Sequence, residues 1–179
     1  MLFQTAEKFL SPARLAPYKN AAKGDEQLGL TLYLDNLRVA QSFYPALSLL
    51  EVALRNAVHN ALSIKFKTDN WLFTEQQGFM VDPSLTYYDT ARKEEIANHK
   101  ILKMVLAAIK DYKEQRQHDP PNGLAIIAEL SFGFWTSLFN KKYFLLLNRD
   151  PIRAFSKERP TGITWNIIND KLIKVRTFR

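Results

Sequence analysis

The stretch Leu50-Glu51-Val52-Ala53-Leu54-Arg55-Asn56-Ala57-Val58-His59-Asn60-Ala61-Leu62 decides the fold. Its apolar residues Leu50, Leu54, Ala57, Val58 and Ala61 recur three or four apart, which at about 100° per residue gathers them on one arc of a helix. Glu51, Arg55 and His59 are four apart and line up as a stripe at the edge of that arc, with Ser48, Asn56 and Ser63 nearby. Leu49 and Val52 fall on the otherwise polar side. A helix with apolar residues on both sides is expected in the middle of a globule, where its polar stripe needs partners.

Two readings of the stripe stay open. In one it is a satisfied core network, with Glu51 paired to Arg55 while Asn56 and His59 hydrogen-bond to loop backbone. In the other, Arg55 and His59 line an anion or RNA site: arginine offers a fork of donors to phosphate, and histidine moves protons near neutral pH.

Outward from this stretch, helical signals continue. From Asp25 to about Phe66 no turn dipeptide interrupts, so one long helix or two joined near Pro45 is expected, with a kink or break around Gln41 to Pro45. Upstream, Thr5 is placed to cap a short helix through Leu10. Ser11-Pro12 is a better helix start, with a hydroxyl at the cap and proline at the first helical position. Thr68 to Tyr88 reads as an irregular ordered segment. Asp89 to about Gln117 reads as a second long helix, with Ile96, Ile101, Leu102, Val105, Leu106 and Ile109 on its buried face. His118-Asp119-Pro120-Pro121-Asn122-Gly123 stops it. Leu124 to Phe139 is nearly all apolar and predicts one buried helix. Asn140 to Lys157 predicts one or two short helices around Asp150-Pro151, and Ile163 to Arg179 a last helix. The expected fold is all-α: a single domain over residues 1–179, built as a bundle of about five to seven helices, two of them long.

Composition narrows the function. The 179 residues are 46% hydrophobic and 24% charged, an ordinary globular balance. Cysteine is absent, which excludes disulfides, zinc–thiolate sites and cysteine catalysis. A reducing cytosol is the expected compartment, since no secretory signal or membrane span is legible. His59, His99 and His118 are too dispersed for a metal cluster, and no phosphate-binding glycine loop, zinc-protease or serine-hydrolase motif occurs. Neither metal nor cofactor is expected.

The net charge of +7 sits wholly in residues 141–179, where ten Lys/Arg face three Asp/Glu. Such a basic end suits a phosphate backbone or an anionic membrane surface. In the last helix Lys171 and Lys174 share one side, while Arg176 and Arg179 share another. Cations near a helix C-terminus also oppose its dipole, so this feature has a purely structural reading too. In Ala128-Glu129-Leu130-Ser131-Phe132-Gly133-Phe134-Trp135 the aromatic run reads as core, and Glu129 is a lone carboxylate at its edge.

Four of these pieces, in order, resemble the Abi-like (abortive-infection) family: Tyr33-Leu34-Asp35-Asn36, Leu49 through His59, Ala128 through Trp135, and Val175-Arg176-Thr177-Phe178-Arg179. That family lies within the HEPN superfamily of helical, often dimeric proteins, many of them metal-independent ribonucleases. The resemblance implies an RNA-acting phage-defence protein, with RNA as ligand and a homodimer as its assembly. Its usual motif runs from arginine through a polar residue and three variable residues to histidine. Here Arg179 holds the position of that arginine, and the histidine would fall five positions later, so the chain is expected to be catalytically incomplete: either truncated at its C-terminal end, the favoured reading, with the full-length form a metal-independent endoribonuclease, or a complete non-catalytic relative. Arg55 and His59 resemble the motif with one residue fewer between them. The expected site therefore comprises Arg179, Arg55 and His59 as catalytic candidates and Lys171, Lys174 and Arg176 as RNA contacts. Glu51, Asn56 and Glu129 form the supporting network. The alternative is a non-enzymatic helical module that binds RNA or protein.

Overall fold

The structure is a computed structural model and describes residues 3–116, 120–155 and 162–178. Among the described residues it has nine α-helices, one two-stranded sheet and three 3-10 turns. The chain, read from sequence as one domain, divides into two compact units, residues 1–50 and 51–179.

The first unit holds α1 (Phe3–Leu10), α2 (Pro12–Ala21) and the first part of α3 (Glu26–Phe66). Phe3, Ala6, Leu15, Leu30 and Tyr33 form its small core, where Tyr18 meets Tyr33 edge-on at 5.3 Å between ring centres. A Cβ on Gly29 would lie 3.2 Å from the Lys19 Cα, so the missing side chain lets α3 approach α2 closely. Two local expectations fail. Thr5 lies inside α1 rather than at its cap. Pro12 does open α2, but Ser11 has φ 69° and makes no capping bond through its side chain; a hydroxyl cap needs an extended backbone at that position. Of the two readings of residues 25–66, the single long helix holds: α3 runs for 41 residues with Pro45 inside it, without a break there.

The second unit begins with the last part of α3. Residues 68–88, expected to be irregular, contain α4 (Trp71–Thr74) and two 3-10 turns at Glu75–Gln77 and Phe79–Val81. Strands β1 (Thr86–Asp89) and β2 (Glu94–Ala97) then pair antiparallel, with Tyr87 opposite Ile96. This hairpin replaces the start of the second long helix, which is reduced to α5 (Lys100–Gln115), 16 residues long. The cause is turn chemistry. The Asp89 carboxylate accepts backbone N–H bonds from Ala91 at 2.9 Å and Arg92 at 3.2 Å, and Lys93 adopts a left-handed φ of 56°. An aspartate that bonds the backbone just ahead of it competes with helix formation. On α5 the buried face is Ile101, Val105, Ala108 and Tyr112, while Leu106 is exposed.

The apolar run from Leu124 also divides, into α6 (Gly123–Glu129) and α7 (Phe132–Ser137). Leu130 and Ser131 between them are extended, and the Trp135 indole N–H donates to the Leu130 carbonyl at 3.3 Å, which pins the break. The remaining elements match their expected places: α8 (Lys141–Leu146), a 3-10 turn at Asp150–Ala154, and α9 (Trp165–Phe178). Trp71, Phe134, Trp135, Leu138 and Phe139 are fully enclosed at the centre of this unit. The helical class therefore stands, with more and shorter helices than expected and one hairpin.

Candidate functional site

The sequence pointed to the stripe on α3, and its four-residue spacing does bring Arg55 and His59 to one side of the helix. Their surroundings differ sharply. His59 is buried at 7% exposure. The Trp71 indole N–H donates to its Nδ1 at 3.1 Å, and the Ser63 hydroxyl lies 3.4 Å from the same nitrogen. The rings of His59 and Trp71 stack at 6.5 Å. An indole nitrogen can only donate, so Nδ1 must accept and the ring proton resides on Nε2. Burial lowers the His59 pKa, and the Asp69 carboxylate only partly opposes this. The ring is therefore neutral at neutral pH and sealed by its partners, which suits the packing reading better than proton transfer.

Arg55 is half-buried. It reaches the Ala128 carbonyl at the end of α6 at 3.4 Å and the Asn56 side-chain oxygen at 3.5 Å. Both distances are long for hydrogen bonds. The last carbonyls of a helix lack intrahelical partners and carry partial negative charge, which explains why a guanidinium settles there. Glu51 is half-buried, while Asn56 and Glu129 are exposed. The central stripe expected to be enclosed is thus sealed only at His59.

The three basic candidates on α9 diverge. Lys171 and Lys174 are exposed, and Lys174 pairs with Asp170 at 2.8 Å. Arg176 turns toward α7, its guanidinium 3.5 Å from the Thr136 hydroxyl. Arg179 lies outside the described residues, as does His118.

The sequence did not single out the open feature of this unit. Lys141, Phe144, Leu145, Arg149, Ile152 and Trp165 line a pocket of about 370 Å³, within the range typical of ligand sites. Phe144 and Trp165 stack at 5.2 Å with planes 19° apart. The Trp165 indole is fixed by a 2.9 Å bond to the Phe139 carbonyl. The walls are therefore apolar and preset. The Lys141 and Arg149 side chains are exposed at the rim, and neither joins an ion pair among the described residues. Their neighbours are engaged: Asp150 binds Lys65 at 3.1 Å and Arg153 at 2.8 Å, and Lys142 donates to the Ser84 and Thr86 carbonyls. Arg149 follows Asn148 into the left-handed region, at φ 65° and 53° respectively. That reversal ends α8, with the Arg149 N–H bonded to the Phe144 carbonyl at 2.8 Å. Such a backbone costs a non-glycine residue energy. The only trace of this pocket in the sequence was the charge excess after residue 140.

Among the described residues no group of three or more His, Asp or Glu could hold a metal ion, and no helix is long and apolar enough to cross a membrane. Comparison with known proteins adds no identity: no family model matches the chain, and neither a curated protein nor a solved structure does.

Proposed function

We propose that this chain binds RNA through the pocket between α8 and α9, as an Abi-like, HEPN-type phage-defence protein that does not cut RNA by itself. The observation that carries the reading is the pocket's chemistry. A preset aromatic and aliphatic cavity with two uncommitted cations at its rim suits an unpaired base inside and phosphates at Lys141 and Arg149. Lys171 on α9 adds a further exposed charge to the same basic stretch. The pocket walls offer little hydrogen bonding to a base edge, so the reading entails weak base preference. The order of the four resembling segments supports placing this binding in phage defence.

The absence of cutting follows from His59. A neutral ring whose Nδ1 is occupied by Trp71 is poorly placed to serve as general acid or base beside Arg55. This favours the non-enzymatic binding reading for residues 1–179.

Fluorescence anisotropy with a labelled unstructured oligoribonucleotide tests the proposal. Affinity should fall steeply with salt, and Lys141→Ala with Arg149→Ala should weaken it at least tenfold while the RNA stays intact. Absence of binding at low salt, or equal binding by the double variant, overturns it.

A further inference from the structure

Lys141 lines two cavities: the aromatic pocket and a second one of about 200 Å³, walled also by Leu85, Thr86, Asn98, Asn140 and Tyr143. The second is below the usual size for a whole small-molecule ligand and suits a single planar ring. Its frame is held by groups that bond one another. The Lys142 ammonium donates to the Ser84 and Thr86 carbonyls and so ties α8 to β1. The Tyr143 hydroxyl accepts the Ile101 N–H at 3.3 Å and donates to the Asn98 carbonyl at 3.2 Å, which ties α8 to the start of α5. Leu85 is buried and gives the cavity an apolar wall.

Two carboxamides stand open in this frame. Asn140 is half-buried just before α8, in the extended backbone that a cap requires (φ −62°, ψ 141°), yet its side chain makes no capping bond. Asn98 is exposed and bonds through its backbone, its N–H to the Leu85 carbonyl and its carbonyl to Tyr143. Asn70 and Asn122 differ: their side-chain oxygens accept the Gly123 and Ala125 N–H groups at 3.3 and 2.8 Å. Neither Asn98 nor Asn140 makes such a bond among the described residues, and each carboxamide presents a donor beside an acceptor.

We propose that this cavity takes an adenine, the neighbour along the strand of the base in the aromatic pocket, with the phosphate between them at Lys141 and the Asn98 and Asn140 carboxamides on the adenine edges. This rests on the RNA reading and adds base selectivity to it. A carboxamide pairs bidentately with a donor–acceptor edge such as adenine's. Adenine alone among the four bases carries a ring-nitrogen acceptor on each side of its amino group, so it alone answers two carboxamides at once. Uracil has no amino group; that of cytosine has a C–H on one side, and that of guanine an N–H. Unstacked bases of single-stranded RNA expose both edges. The weak base preference entailed above belongs to the apolar pocket, whose walls lack such groups, and the polar cavity supplies the preference at the next position.

Fluorescence anisotropy of the unmodified chain with three labelled oligoribonucleotides of equal length tests this: oligouridylate, and strands in which uridine alternates with adenosine or with inosine. Inosine keeps the purine ring and its stacking but has a carbonyl in place of the amino group. The adenosine strand should bind about tenfold tighter than oligouridylate, and the inosine strand should lose most of that gain. Asn98→Ala with Asn140→Ala should bind all three strands alike, at the unmodified chain's affinity for oligouridylate. Its far-UV circular dichroism should be unchanged, since neither carboxamide bonds to the rest of the fold. Equal binding of the adenosine and uridine strands overturns the proposal and leaves the RNA reading standing. So does an inosine strand that binds like the adenosine strand, because stacking alone then accounts for the preference. A preference that survives in the double variant overturns the proposal in the same way. No binding of any strand at low salt overturns the RNA reading and this proposal together.

Discussion

His59 within α3 and Arg149 in the turn after α8 are both basic side chains of the second unit, yet they sit in opposite environments. His59 is held by an indole N–H and a hydroxyl and is neutralised by burial. Arg149 stands at the rim of an apolar pocket on a strained backbone, with no ion-pair partner among the described residues. The difference separates stability from binding. A group whose hydrogen bonds are satisfied inside the protein stabilises the fold, while a charge left open in a preset cavity is available to a ligand.

The comparison breaks most severely at Trp71, the partner of His59. Trp71→Ala should cost about 3–5 kcal/mol, read from chemical denaturation, because a fully enclosed aromatic leaves a cavity. Asp150→Ala comes next. It strips the Lys65 ammonium, whose side chain is only 16% exposed, of its carboxylate, and about 2 kcal/mol should be lost. His59→Leu leaves the Trp71 N–H without an acceptor and should cost about 1–3 kcal/mol while RNA affinity holds.

At the pocket the signs reverse. Arg149→Gly should weaken RNA binding about tenfold and yet raise stability by about 1 kcal/mol, because glycine adopts the left-handed backbone without strain.

The smallest effect is a pH dependence. The folded-state pKa of His59 is below its usual 6.5, so its contribution is complete above that value. As pH falls below about 6.5 the unfolded chain takes up the proton first, and stability declines. His59→Gln keeps an acceptor for Trp71 and should flatten this slope in thermal melts between pH 7 and 5.

Much of the fold was legible where periodicity and packing agree. The α3 helix and the short elements around Asp150-Pro151 follow from apolar spacing, whereas of the face expected on α5 only Ile101 and Val105 are buried, Leu106 is exposed and Ile96 lies on β2. What escaped was decided by a few polar contacts. The Asp89 carboxylate turned a helix start into a hairpin, and the Trp135 indole fixed a break in an apolar run that looks continuous. For α3, spacing reported an apolar stripe but not what covers it: Val58 and Leu62 are buried, whereas Val39 and Leu49 are exposed. The site was harder to read. Arg55 and His59 caught attention by their spacing, but whether a histidine is sealed depends on Trp71, twelve residues away. Lys141, Arg149 and Trp165 form a pocket only once α8, the turn after it and α9 are folded together.

The central claim is that the open pocket, not the sealed histidine, is the binding site. Its most direct test is the RNA affinity of Arg149→Ala and His59→Gln measured side by side at one salt concentration, with melts of both proteins. The account predicts a loss of about tenfold, or ~1.4 kcal/mol, for Arg149→Ala alone, with His59→Gln binding as the unmodified chain does. A loss confined to His59→Gln in a protein that melts normally would contradict it.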